Sequence, residues 1–189
     1  MNDQTLMLVI AVAIVAVIAI AAFMWSRRRR TEHLRERFGQ EYDHAIEEKG
    51  DRTKAEAELA EREKRVEKLE IRPLQPAARQ GFIDRWKEVQ ARFVDDPPRA
   101  VAFADEVIAE VMSTRGYPVE DFERRAGDIS VNHPRVVEHY RAGHDIAVRH
   151  ARGQASTEDL RQAMIHYREL FDALVAEPGG AEPQPEKTH

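Results

Sequence analysis

The stretch FIDRWKEVQARF, residues 82–93, decides the fold class. Phe82, Trp86, Val89 and Phe93 recur at steps of four, three and four, which puts all four on one face of a helix and the charged residues on the other. The pattern continues toward the C-terminus. DDPPRA, residues 95–100, reads as a stop and a restart: Asp95 or Asp96 caps the next helix, and a proline in its first turn forfeits no hydrogen bond. That second helix carries Val101, Ala104, Val107, Ile108, Val111 and Met112 and stops at Gly116. A short helix around PVEDFERRA follows Tyr117, and SVNHPRVV reads as a turn with Pro134 opening a third long helix. This one holds Val137, Tyr140, His144, Ala147 and Ala151 on one face and ends at Gly153. The last long helix starts at Ser156, with acidic residues two and three positions on, close to a capping box. It carries Leu160, Ala163, Met164, Tyr167, Leu170, Phe171 and Leu174. No stretch alternates with period two, so the expected class is all-α, with a small helical bundle over residues 73–175. AEPGGAEPQPEKTH, residues 176–189, has no apolar face and is expected to be a disordered tail.

Upstream, Pro73 to Pro76 form a linker, and residues 27–72 read as a basic juxtamembrane segment followed by a charged helical spacer. Leu34, Phe38, Tyr42 and Ala45 lie at helical spacing with Gly39 as a weak point, as in a short amphipathic helix near a membrane surface. Gly50-Asp51 supplies a break and an N-cap. Thirteen of the twenty residues from Asp51 to Glu70 are charged, and Glu58 with Arg62 and Glu61 with Arg65 fall at helical distance. This composition predicts a solvated strut; Leu59, Val66 and Leu69 add a short coiled-coil seam through which a weak homo-oligomer could form.

Residues 1–26 form the expected N-terminal transmembrane helix. Thr5 to Trp25 are 21 residues without a charge, a helix of about 31 Å against a hydrocarbon core of about 30 Å. Ala19-Ile20-Ala21 fits a signal-peptidase pattern, but the run exceeds the about 7 to 15 residues of such a signal, and Asp3, not a cation, precedes it. Arg27, Arg28, Arg29 and Arg30 follow it directly, so the positive-inside rule keeps them in the cytoplasm with the N-terminus outside. There they also meet lipid headgroups, at about 1 kcal/mol of attraction for each. The expected location is the cell membrane, single-pass, with the C-terminal domain cytoplasmic.

Charge and composition narrow the partners. Of 189 residues, the first 72 hold 14 acidic and 14 basic side chains, whereas the rest hold 20 and 15, so the net charge of -5 sits in the bundle and its tail. A net negative bundle disfavours nucleic acid as a partner. The chain has no cysteine, which excludes disulfides, thiolate metal sites and thiol catalysis. Glycine-rich phosphate loops, HExxH and GxSxG are absent. Among the histidines, His139 and His144 diverge around their helix and His139 and His150 stand too far apart along it, leaving His144 and His166 as the pair that could meet across facing helices. No catalytic, cofactor or metal residue is assigned.

LRERFGQEYDHAIEEKGDRTKAEAELAEREKRVEKLEIRPL, RWKEVQARFVDDP, RGYPVEDFERRAGDISVNHPRVVEHYRAGH and STEDLRQAMIHYRELFDAL together resemble a group of uncharacterised bacterial single-span proteins labelled as membrane or secreted proteins. The resemblance spans nearly all of the chain after residue 26 and implies no activity. The resulting expectation is a membrane-anchored protein whose helical domain binds another protein near the bilayer. The partner-facing surface is expected around Arg115, Tyr117, Asp121, His133 and His144, where a turn-rich segment interrupts the bundle. The rival expectations are a membrane-attached enzyme with a histidine-based site and a self-associating structural protein of the cell envelope.

Overall fold

The computed structural model describes residues 3–176, except for the side chains of 3–6 and 8–11; beyond Ala176 the expected tail lies outside the described residues. The described residues form eight helices and no strand: α1 (Asp3–Phe38), α2 (Gln40–Lys49), α3 (Arg52–Val66), α4 (Pro76–Asp95), α5 (Pro97–Arg115), α6 (Phe122–Asn132), α7 (Val137–Ala151) and α8 (Thr157–Val175). The all-α class and the helical bundle stand.

The main core lies among α4, α5, α7 and α8, closed by Tyr117 and by Ala126 and Ile129 of α6. The predicted faces are the buried ones: Phe82, Trp86 and Val89 on α4, Val107, Ile108 and Val111 on α5, and Leu160, Tyr167, Leu170 and Leu174 on α8. Trp86 stacks on Phe171 with ring centroids 4.5 Å apart and planes 12° from parallel. Helix ends follow from local chemistry. Asp96 accepts from the Arg99 amide at 3.2 Å with prolines behind it in the first turn. Ser156 and Asp159 complete the capping box of α8. Gly116 ends α5 at φ 98, and a Cβ there would stand 2.6 Å from the Glu70 carbonyl oxygen, so both conformation and space call for glycine. Between α7 and α8, a Cβ on Gly143 would stand 2.7 Å from Tyr167 Cε1; the missing side chain lets these two helices approach closely.

α6 departs from expectation. It starts at Phe122, where Asp121 accepts from the Arg124 amide at 2.8 Å, and runs on through Ser130, Val131 and Asn132, which had read as a turn. The turn is confined to residues 133–136, and α7 begins at Val137, not at Pro134.

A larger correction concerns the spacer. α3 is no solvated strut. Ala55, Leu59 and Val66 are buried with Leu34 and Phe38 of α1, Tyr42 and Ala45 of α2 and Val131 of α6, in a second core that abuts the first through Leu69 and Ile71. The proposed seam residues Leu59 and Val66 are thus consumed within the chain and offer no coiled-coil dimer surface. Likewise, the face carrying Leu34, Phe38, Tyr42 and Ala45 packs on α3 rather than on a membrane surface.

α1 is a single helix through the arginines to Phe38, broken at Gly39 with φ 53. From Val12 to Trp25 its side chains are exposed on every face, Val15 at 65% and Trp25 at 59%. Among the described residues, no helix is long and apolar enough to cross a membrane.

Candidate functional site

The densest polar chemistry lies where α2, α3, α6 and α7 meet. Glu41 on α2 is 3% exposed and accepts from two arginines: Arg62 Nη1 of α3 at 2.7 Å, and Arg141 of α7 through Nη2 at 2.9 Å and Nε at 3.1 Å. Each guanidinium also reaches a carboxylate nearer the surface, Arg62 to Glu58 at 2.7 Å and Arg141 to Glu123 at 2.7 Å. Burial alone would lower the pKa of Arg141, but the bonds to Glu41 and Glu123 outweigh it and hold the guanidinium charged.

A second clamp lies beside the first. Asp128 of α6 is fully buried and accepts from Arg65 Nε and Nη2 at 2.9 and 2.6 Å. Next to it, Gly127 leaves room for Arg62, whose Nε would stand 3.3 Å from an added Cβ. Of the two helical pairs expected on α3, Glu58–Arg62 forms, whereas Glu61 takes Lys64 at 3.0 Å because Arg65 is engaged by Asp128. These ionic contacts fasten α2 and α3 to the bundle. Above them runs a groove of about 400 Å³ lined by His44, Glu47, Glu48 and Glu123.

The five residues expected to face a partner are dispersed in role. Tyr117 is 3% exposed, its hydroxyl accepting from Asn132 Nδ2 at 3.0 Å. Arg115 donates through Nη1 to the Leu174 carbonyl at 2.9 Å and so ties the end of α5 to the end of α8. Asp121 is the exposed cap of α6. His144 stacks on Phe122 at a centroid distance of 3.6 Å, and burial lowers its pKa. His133 is buried at the end of α6.

Burial, with the charge of Arg115 adding to it, lowers the pKa of His133 to about 4. An unfolded histidine holds its proton up to about pH 6.5, so between these values the unfolded chain binds more protons. The stability that neutral His133 contributes is complete above about pH 6.5 and is lost as the pH falls toward 4, by about 3 kcal/mol. Thermal melts over this range should show that loss, and His133→Gln should flatten it; an unchanged slope in the variant would place the titration elsewhere.

The histidine expected to meet His166 was His144, but the structure brings His139 there instead, with the two Nδ1 atoms 3.0 Å apart. Burial, and the neighbouring His139, lower the pKa of His166. Among the described residues, no group of three or more His, Asp or Glu is placed to share a metal ion. On α1, the guanidinium of Arg29 lies 3.8 Å over the Trp25 ring and that of Arg27 5.0 Å over Phe23, while Arg28 and Arg30 are exposed. No protein-family model, curated protein or solved structure matches this chain.

Proposed function

We propose that this protein is a single-pass membrane protein that holds a helical protein-interaction body close to the bilayer. The observation that carries the reading is the contrast within α1. Its apolar side chains from Val12 to Trp25 are exposed on all sides, whereas apolar side chains at the helical spacing of α3 to α8 are turned inward. In sequence, the uncharged run extends upstream to Thr5, long enough to cross hydrocarbon. Arg27 to Arg30 then act as topology determinants at the headgroup level, with the aromatic-arginine contacts at the boundary. The body follows at once, since Leu34 and Phe38 are already buried.

The absence of native cysteine gives a direct test. With one cysteine placed at Ala181, a membrane-impermeant maleimide should label the full chain only after lysis, and the chain should stay in the membrane pellet after an alkaline wash. Labelling in intact cells would overturn the cytoplasmic placement, and release by alkali would overturn the anchor.

A further inference from the structure

Just past the apolar run of α1, Arg27, Arg28, Arg29 and Arg30 place four positive charges on one helical turn. Successive residues are about 100° apart around a helix and about 1.5 Å apart along it, so the four surround the shaft in a band about 4.5 Å deep. All four residues are exposed, and among the described residues none of them forms an ion pair with a carboxylate. The bond from Lys64 lowers the pKa of Glu61 on α3, and the charge of Arg30 is the last contribution to that shift. The next arginines are engaged within the fold: Arg35 lies 5.6 Å over the Tyr42 ring, and Arg37 stands 3.9 Å from Glu63.

The height of this band matches one layer of a bilayer. Headgroups occupy about 5 to 7 Å on each side of a hydrocarbon core of about 30 Å, and a band about 4.5 Å deep fits inside that layer. Aromatic side chains fix its apolar edge, since the guanidinium of Arg27 lies 5.0 Å over Phe23 and that of Arg29 3.8 Å over Trp25. The folded body fixes the other edge, since Thr31 already bonds to Glu56 at 2.8 Å. A zwitterionic headgroup brings its own cation into this ring of charge, whereas an anionic one neutralises it. Phe23 and Trp25 are themselves exposed. A phospholipid covers those rings with its acyl chains while its headgroup meets the arginines, which a soluble anion cannot do.

Resting on the single-pass reading, we propose that Arg27, Arg28, Arg29 and Arg30 form a collar that gathers anionic phospholipids around α1. Because the charges face every side of the shaft, the collar takes several headgroups at once in place of one tightly held lipid. Contact with one arginine should enrich an anionic over a zwitterionic lipid about fivefold beside the protein at low ionic strength.

The chain carries its own reporter for the test. Trp25 is exposed next to the collar, whereas Trp86 is buried in the bundle, so quenching by a brominated phospholipid reads the lipids beside α1. The full chain is reconstituted in phosphatidylcholine bilayers at low ionic strength, with a small share of either phosphatidylglycerol or phosphatidylcholine brominated on the upper acyl chain. Brominated phosphatidylglycerol should quench as strongly as about five times its share of brominated phosphatidylcholine. Arg27→Gln, Arg28→Gln, Arg29→Gln and Arg30→Gln combined should bring the two lipids level, while Arg→Lys at the same four positions should retain the preference. Equal quenching by the two lipids in the native chain, or a preference that survives in the Arg→Gln variant, overturns the collar and leaves the span standing. Trp25 quenched by neither lipid would overturn the span, and the collar with it.

Discussion

Glu41→Leu should lower the unfolding free energy by about 3 to 5 kcal/mol. Among the described residues, this carboxylate is the only one bonded to both Arg62 and Arg141, and those side chains are 6% and 13% exposed. Removing it leaves two cations facing each other across a leucine. Glu58 and Glu123 still hold their outer nitrogens, which moves the expected loss toward the lower end of the range. The penalty comes from stranded charge, so replacing all three groups, Glu41→Leu with Arg62→Met and Arg141→Met, should restore more than half of it. Urea unfolding of the two variants decides the matter. A triple variant as weak as the single one would show that the ionic contacts themselves, not the uncompensated cations, carry the energy.

The second large effect concerns Trp86, where Trp86→Ala should cost about 3 to 5 kcal/mol by opening a cavity under the stacked Phe171 ring. Trp86→Phe should cost much less, for a specific reason. Among the described residues the buried indole Nε1 has no hydrogen-bond partner, and an unsatisfied buried donor costs about 1 to 3 kcal/mol. Phenylalanine removes that donor while keeping an aromatic face for Phe171. The pair is compared by chemical denaturation; a phenylalanine variant as damaged as the alanine one would mean that ring size, not the unpaired N–H, governs the site.

The legible parts of the sequence were those where one helix buries one apolar stripe. α4, α5 and α8 follow their periodicity to within a turn, because their burial is decided by their own side chains. α3 misled because its charge density looks like solvation, whereas Arg62 and Arg65 are neutralised by Glu41 and Asp128 from helices 21 and 63 residues away along the chain. No local pattern announces such a partner. Ser130, the first residue of the SVNHPRVV stretch that reads as a turn, sits inside α6 with its hydroxyl donating to the Gly127 carbonyl at 2.7 Å, so its side chain is satisfied within the helix and does not break it. The histidine pair was missed for want of register: His166 was correctly placed on a face toward α7, but the offset that selects His139 over His144 is set by the Gly143–Tyr167 contact, which becomes visible only in three dimensions.

α1 has a mechanical consequence. The helix is continuous from Asp3 to Phe38, and Leu34 and Phe38 are gripped under α3, with Thr31 bonded to Glu56 at 2.8 Å and His33 to Glu63 at 3.1 Å. The first swivel, Gly39, comes after the grip and not before it. Torque applied to the apolar end is thus delivered undiminished to the folded mass, whose compass bearing is locked to the phase of the shaft. One residue inserted among Arg27 to Arg30 would turn that mass by about 100° and lift it by about 1.5 Å. Seven would bring it back to within about 20° of its original heading.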